Sequence, residues 1–210
     1  MNLAGMTMIL LLVCVGCFAA EKADDGWISL FDGKTLDGWK VGGPAESFTV
    51  TDGAIVANGK PMAHLFYDGK VKDHEFRNFE FKADVMTTPQ ANSGIYLHTK
   101  FQPGGWPGKG YEAQVNCTHS DPVKTGSLYH VQDVKQCPHK DNEWFTYYIM
   151  VNGKHIVIKV NDKTTVDYTE PDDGKGRLSI GTFALQAHDP KSKVLFKNIM
   201  VKPLPDEPAK

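Results

Sequence analysis

The chain has 210 residues, with 23 Lys and Arg against 25 Asp and Glu and a formal net charge of −2. That balance supplies no basic field for a nucleic-acid backbone, and the length suits one ordinary domain better than two. Beyond the N-terminal segment the apolar stretches are short and broken by charges, so no transmembrane helix is expected.

The first 20 residues hold no charged side chain. Their apolar run over 6–15 is too short to span a bilayer and ends in small residues, with Cys17 at −3 and Ala19 at −1 of a signal-peptidase site. Residues 1–19 are therefore expected to be a signal peptide, and the protein to be exported, periplasmic or secreted. Val15-Gly16-Cys17 partly fits a lipoprotein signal, so anchoring through Cys17 is the alternative. Removing this segment leaves Cys117 and Cys137 as the remaining cysteines. In an oxidising compartment a disulfide between them is expected, two free thiols being the other reading.

From Trp27 onward the periodicity is that of strands and turns, with no apolar 3.6-residue repeat sustained over a helix length. Short strands over 48–50 and 54–56 flank Thr51-Asp52-Gly53, and longer ones are expected over 76–86, 95–98 and 111–116. Asn152-Gly153 makes a tight hairpin between 147–151 and 155–160, and Asn161-Asp162 turns the chain again into 164–168. Strands over 178–188 and 194–201 complete the set, and 205–210 reads as a flexible tail. About a dozen strands in one domain exceed what a single open sheet holds well, so the fold class is all-β with two packed antiparallel sheets. Two long breaks interrupt the strands. One, over 99–110, is rich in Gly and Pro around Trp106; the other, over 117–142, is rich in His, Asp and Lys and would be clipped by the disulfide. Such loops beside a rigid sheet tend to carry binding residues.

Strand alternation places Glu112, Gln114 and Asn116 on one face and Tyr111, Ala113 and Val115 on the other. The same alternation pairs Tyr96 with His98 and Gln186 with His188. Most polar strand faces are simply solvated. Here, however, the residues are carboxylate, amide, imidazole and phenol rather than the Lys and Thr that dominate 154–165. A concave sheet so lined, with Trp106 beside it, suits the paired hydrogen bonds and ring stacking that a sugar requires.

Eight motifs occur in order: Ile28-Ser29-Leu30-Phe31-Asp32-Gly33-Lys34 with Leu36-Asp37-Gly38-Trp39, Asn92-Ser93-Gly94-Ile95-Tyr96, Gly110-Tyr111-Glu112-Ala113-Gln114-Val115, Thr125-Gly126-Ser127-Leu128-Tyr129, Asn142-Glu143-Trp144, Leu185-Gln186-Ala187-His188, and Phe196-Lys197-Asn198-Ile199. Across about 27–204 the chain resembles the 3-keto-disaccharide hydrolase domain family. The resemblance implies a concanavalin-A-like jelly roll of two curved antiparallel sheets and action on glycosides whose glucose carries a ketone at C3. Two positions depart from the family pattern, since His98 and Lys197 stand where Arg is common, and neither side chain reproduces a guanidinium fork.

A C3 ketone acidifies the proton on C2, and its removal can expel the C1 aglycone before water adds back. This chemistry needs one base, one acid and a group polarising the ketone, rather than the two opposed carboxylates of an ordinary glycosidase. Glu112 is the expected base, with His98 or His188 as proton donor or metal ligand. Gln114, Gln186 and Lys197 would position hydroxyls or the ketone, and Tyr96, Trp106, Tyr129 and His130 complete the expected substrate-binding set. His64, His74, His119, His139 and His155 read as surface residues. No HExxH or CxxC motif is present, so a divalent metal ion would need ligands gathered from separate strands. The ligand is expected to be an oligosaccharide or 3-keto-glycoside. A non-catalytic carbohydrate-binding module on the same scaffold is the alternative, and a purely structural envelope domain a third reading.

Overall fold

The computed structural model describes residues 25–206. The expected signal segment with Cys17, and residues 207–210 of the expected tail, lie outside the described residues. Thirteen strands form two antiparallel sheets packed face to face as a jelly roll. Among the described residues no helix is long and apolar enough to cross a membrane.

In chain order the strands are β1 (Ile28–Ser29), β2 (Trp39–Gly42), β3 (Phe48–Thr51), β4 (Ala54–Asn58), β5 (Ala63–Tyr67), β6 (Phe79–Thr87) and β7 (Asn92–Thr99), then β8 (Tyr111–Asn116), β9 (Phe145–Asn152), β10 (His155–Val160), β11 (Lys163–Thr169), β12 (Thr182–Ala187) and β13 (Lys193–Pro203). The larger sheet runs β11-β10-β9-β6-β13-β4-β3, with β1 pairing β13. The smaller runs β2-β5-β12-β7-β8. β13 extends through Pro203, and Asn78 Nδ2 donates to the Pro205 carbonyl at 2.7 Å, so the start of the expected tail is tied to the sheet.

In β6, Phe79, Phe81, Ala83 and Val85 point into the core, while Glu80, Lys82, Asp84 and Met86 point outward. Facing them across the core are Ile95, Leu97, Phe183 and Leu185 of the smaller sheet, all fully buried. Burying such a Phe or Leu is worth roughly 1.5–3 kcal/mol each, which makes this layer the main source of stability. The smaller sheet differs in that every residue of β5, β7 and β12 is buried. The core covers one of its faces, and the loops over 99–110 and 117–142 cover the other. Burial on both faces also explains why β5, Ala-His-Leu-Phe-Tyr, lacks the alternation by which the other strands are read.

Candidate active site

The outer face of the smaller sheet forms the floor of a cavity of about 270 Å³ lined by Asn92, Tyr96, Trp106, Glu112, Gln114, Asp121, Tyr129, Gln186 and His188. Register explains the convergence: Tyr96 lies opposite Glu112 and Asn92 opposite Asn116, while Gln186 on β12 lies opposite His64 on β5. Between Asn92 and Tyr96 sits Gly94. A Cβ there would collide with Glu112 Oε1, so only glycine lets the carboxylate lie flat across β7.

Glu112 is held at both oxygens. The Tyr96 hydroxyl donates to Oε2 at 2.9 Å, and Gln186 Nε2 donates to Oε1 at 2.9 Å. Burial raises the Glu112 carboxyl to about 7 against these two donors, with the nearby Asp121 charge adding to the rise. Tyr96 is pushed far above the ordinary phenol value by burial and by the Glu112 charge, so it remains a hydrogen-bond donor. Gln114 donates to Asn92 Oδ1 at 3.2 Å. The side-chain carbonyl oxygens of both Gln114 and Gln186 are buried without a partner. A buried unpaired acceptor costs about 1–3 kcal/mol.

The two long loops close the cavity. Gln102 knits 99–110 to itself, donating to the Gly104 and Trp106 carbonyls and accepting from Gly108 N–H. Trp106, 52% exposed, lies with its ring 5.4 Å from His188 and 5.7 Å from His64. The second loop is clipped by the Cys117–Cys137 disulfide. It delivers Asp121 and Tyr129, whose hydroxyl donates to Asp121 Oδ2 at 3.0 Å, and burial with this bond raises the phenol to about 12.

Seven of the ten residues singled out from sequence as catalytic or substrate-binding therefore line one cavity: Tyr96, Trp106, Glu112, Gln114, Tyr129, Gln186 and His188. Three lie elsewhere. His98 sits in a β-bulge, where two residues of β7 oppose Phe183 alone, and its φ of 53° turns the ring away from the Tyr96 face. It packs 5.6 Å from Phe79, with Nε2 2.9 Å from the Arg77 carbonyl and Nδ1 accepting from Ser179 N–H, and burial lowers its pKa to about 4. Lys197 is on the outer face of the larger sheet, across the sandwich, with its ammonium 4.0 Å above the Trp144 ring. His130 is exposed and stacks on Tyr129 from outside the cavity.

Sequence reading missed Asn92 and Asp121 in the cavity lining, and misplaced three histidines as surface residues. His64 is fully buried beneath Tyr96 and Trp106 with neither ring nitrogen bonded, and burial followed by the His188 charge lowers it to about 4. His139 is partly buried and stacks on Phe145. His119 stands 5.7 Å from His188 at the cavity edge.

Among the described residues, two groups of three metal-ligating side chains lie close together. Cys117 and Cys137, beside His139, are consumed by the disulfide. His119, His188 and Asp189 bring ligand atoms within 4.8 Å of one another. However, His119 Nδ1 accepts from Asp121 N–H at 3.0 Å and faces the Asn92 amide nitrogen at 3.5 Å, which puts the ring proton on Nε2. That nitrogen faces Asp189 at 3.9 Å and in this tautomer has no lone pair for an ion, while His188 Nδ1 lies 2.9 Å from the same carboxylate.

A family model described as "3-keto-alpha-glucoside-1,2-lyase-like domain" matches residues 26–202. A Bacteroides thetaiotaomicron protein named 3-keto-disaccharide hydrolase is 28% identical over 171 residues, which are 69% of this chain and 59% of that protein. The chain thus spans about three-fifths of that relative's length. A solved structure from Parabacteroides distasonis ATCC 8503, provisionally named a glycosyl hydrolase, superposes with a TM-score of 0.72 at 26% identity, covering 86% of this chain and 94% of that one. The carbohydrate-binding module CBM66 from Bacillus subtilis shares the fold, with a TM-score of 0.57 at 13% identity over 79% of this chain and 95% of that one.

Proposed function

As the chain belongs to the 3-keto-alpha-glucoside-1,2-lyase-like domain family, we propose that it cleaves 3-keto-glucosides by elimination followed by hydration. The observation that carries this reading is Glu112, a carboxyl near pH 7, fixed by Tyr96 and Gln186 at the floor of a sugar-sized cavity. A base whose pKa matches the working pH is half ionised there yet strong enough to take a proton from carbon.

Glu112 removes the C2 proton, the C–H electrons form the C2–C1 double bond, and the glycosidic oxygen leaves C1 with its electron pair and gains a proton. Water then adds across the double bond, restoring a proton at C2 and placing hydroxyl at C1. No oxidant is consumed. The Gln114 and Gln186 side chains line the cavity that takes the sugar, and Trp106 packs on the ring face. Asn92 and the Tyr129 hydroxyl add polar groups on the cavity wall. We further propose that the protein acts outside the cytoplasm; residues 1–19 and the disulfide support this.

The test is incubation with a chromogenic 3-keto-glucoside, following aglycone release and binding together. Release that is lost in Glu112→Gln is expected. Affinity without any release would instead mark a carbohydrate-binding module on this scaffold.

A further inference from the structure

The cluster beside the cavity, His188, Asp189, Ser192 and His119, is not used by a mechanism that rests on Glu112 alone. His188 lines the cavity, and its Nδ1 lies 2.9 Å from Asp189 Oδ2. The carboxylate is itself held by two further donors, with the His119 ring nearby. Lys191 N–H donates to Oδ1 at 2.9 Å, the Ser192 hydroxyl donates to Oδ2 at 2.6 Å, and His119 Nε2–H approaches Oδ2 at 3.9 Å. Ser192 is in turn fixed, because its oxygen accepts from Asn92 N–H at 2.8 Å. Burial would raise the Asp189 carboxyl, but the Ser192 hydroxyl, the Lys191 N–H and His188 together hold it below the usual carboxylate range. An ionised Asp189 can only accept, so His188 Nδ1 must carry a proton. Nε2, which no group among the described residues engages, is then the nitrogen left for the cavity.

We propose that Asp189 is the positioning residue for His188, and that His188 Nε2 is the second proton-transfer group of the site, serving the leaving oxygen while Glu112 serves C2. The proposal rests on the elimination reading above. In its doubly protonated form His188 gives the Nε2 proton to the glycosidic oxygen as the C1–O bond breaks. The Nε2 lone pair then takes a proton from the water that bonds to C1, and Glu112, its proton exchanged with solvent after the aglycone has left, delivers a proton to C2. Each group ends as it began. Throughout the cycle Asp189 holds Nδ1–H, so the mobile proton resides on Nε2 alone. The arrangement parallels the carboxylate that holds the histidine tautomer in serine hydrolases.

The discriminating experiment compares two 3-keto-glucosides, one with an alkyl aglycone that must be protonated to leave and one with a nitrophenyl aglycone that need not be. Asp189→Asn keeps the side-chain shape, but the acceptor at Oδ1 is needed by Lys191 N–H, so the new N–H₂ faces His188 and drives the ring to the other tautomer. The expected result is a fall in kcat of about 10²-fold on the alkyl substrate, less than about 5-fold on the nitrophenyl one, and KM unchanged on both. Histidine ¹⁵N shifts report whether His188 has exchanged tautomers in the folded variant, and His188→Gln should show the same aglycone dependence. Equal losses on both aglycones, or an unchanged tautomer with full activity, would overturn the proposal. If the parent protein cleaves neither substrate, the elimination reading itself fails, an outcome separate from any effect of Asp189.

Discussion

The two outer faces of this sandwich both carry polar side chains and end in opposite conditions. On the larger sheet the outward positions of β6 and β13 include Glu80, Lys82, Asp84, Lys193, Leu195 and Lys197, which remain at least partly in solvent. On the smaller sheet the outward positions of β5, β7 and β12 include His64, Asn92, Tyr96 and Gln186, every one buried. Polar alternation therefore does not by itself mark a site. What separates the faces is whether loops cover the polar residues, because burial beneath them raises the Glu112 carboxyl and lowers the His64 imidazole.

The comparison breaks most sharply at Glu112. Glu112→Gln should lower turnover of a 3-keto-glucoside by about 10³-fold, measured as initial rate of aglycone release at neutral pH. The same exchange should raise stability at high pH. The folded carboxyl titrates near 7 and the unfolded one near 4.5, so the folded state binds the extra proton and stability falls as pH rises between those values. Removing the charge recovers up to about 3 kcal/mol at pH 8 in urea titrations.

Next in size is the clip on the covering loop. Replacing both Cys117 and Cys137 by Ser should cost about 3 kcal/mol in urea unfolding, because the bridge closes a loop of 20 residues. KM should rise, since Asp121 and Tyr129 lie within that loop. Acidification tests the buried histidines of the smaller sheet. His64 and His98 titrate near 4 when folded and near 6.5 when unfolded, so their contribution is complete above pH 6.5 and is lost as pH falls towards 4. Unfolding midpoints should decline across that window, and His64→Phe should flatten the decline.

Smaller effects come from geometry. Gly94→Ala pushes the Glu112 carboxylate off β7 and should reduce kcat roughly 10-fold with a modest change in stability. At the other end of the scale, Trp144→Ala removes an aromatic ring from the uncovered face and should leave kcat and KM within about 2-fold of the parent.

The all-β class and the Glu112, Gln114 and Gln186 rows were legible because β8 pairs with β7 without a break and Gln186 lies past the Phe183 bulge, where β12 pairs regularly with β5. His98 was not, since a single bulge reverses the face of one side chain and leaves no trace in residue spacing. Lys197 followed its alternation faithfully, but alternation cannot say to which sheet a strand belongs. His64 was hidden by the burial of β5 on both faces, and Asp121 and His119 by the irregular path of the second loop, which only the folded chain brings over the sheet.

The central claim, that Glu112 removes the proton from C2 of a bound 3-keto-glucoside, is tested most directly by running the reaction in D₂O and examining the released sugar by proton NMR. Elimination and hydration predict that deuterium replaces the proton at C2, at a rate that collapses in Glu112→Gln. Aglycone release with the C2 proton retained, or exchange that persists undiminished without the Glu112 carboxylate, would contradict it.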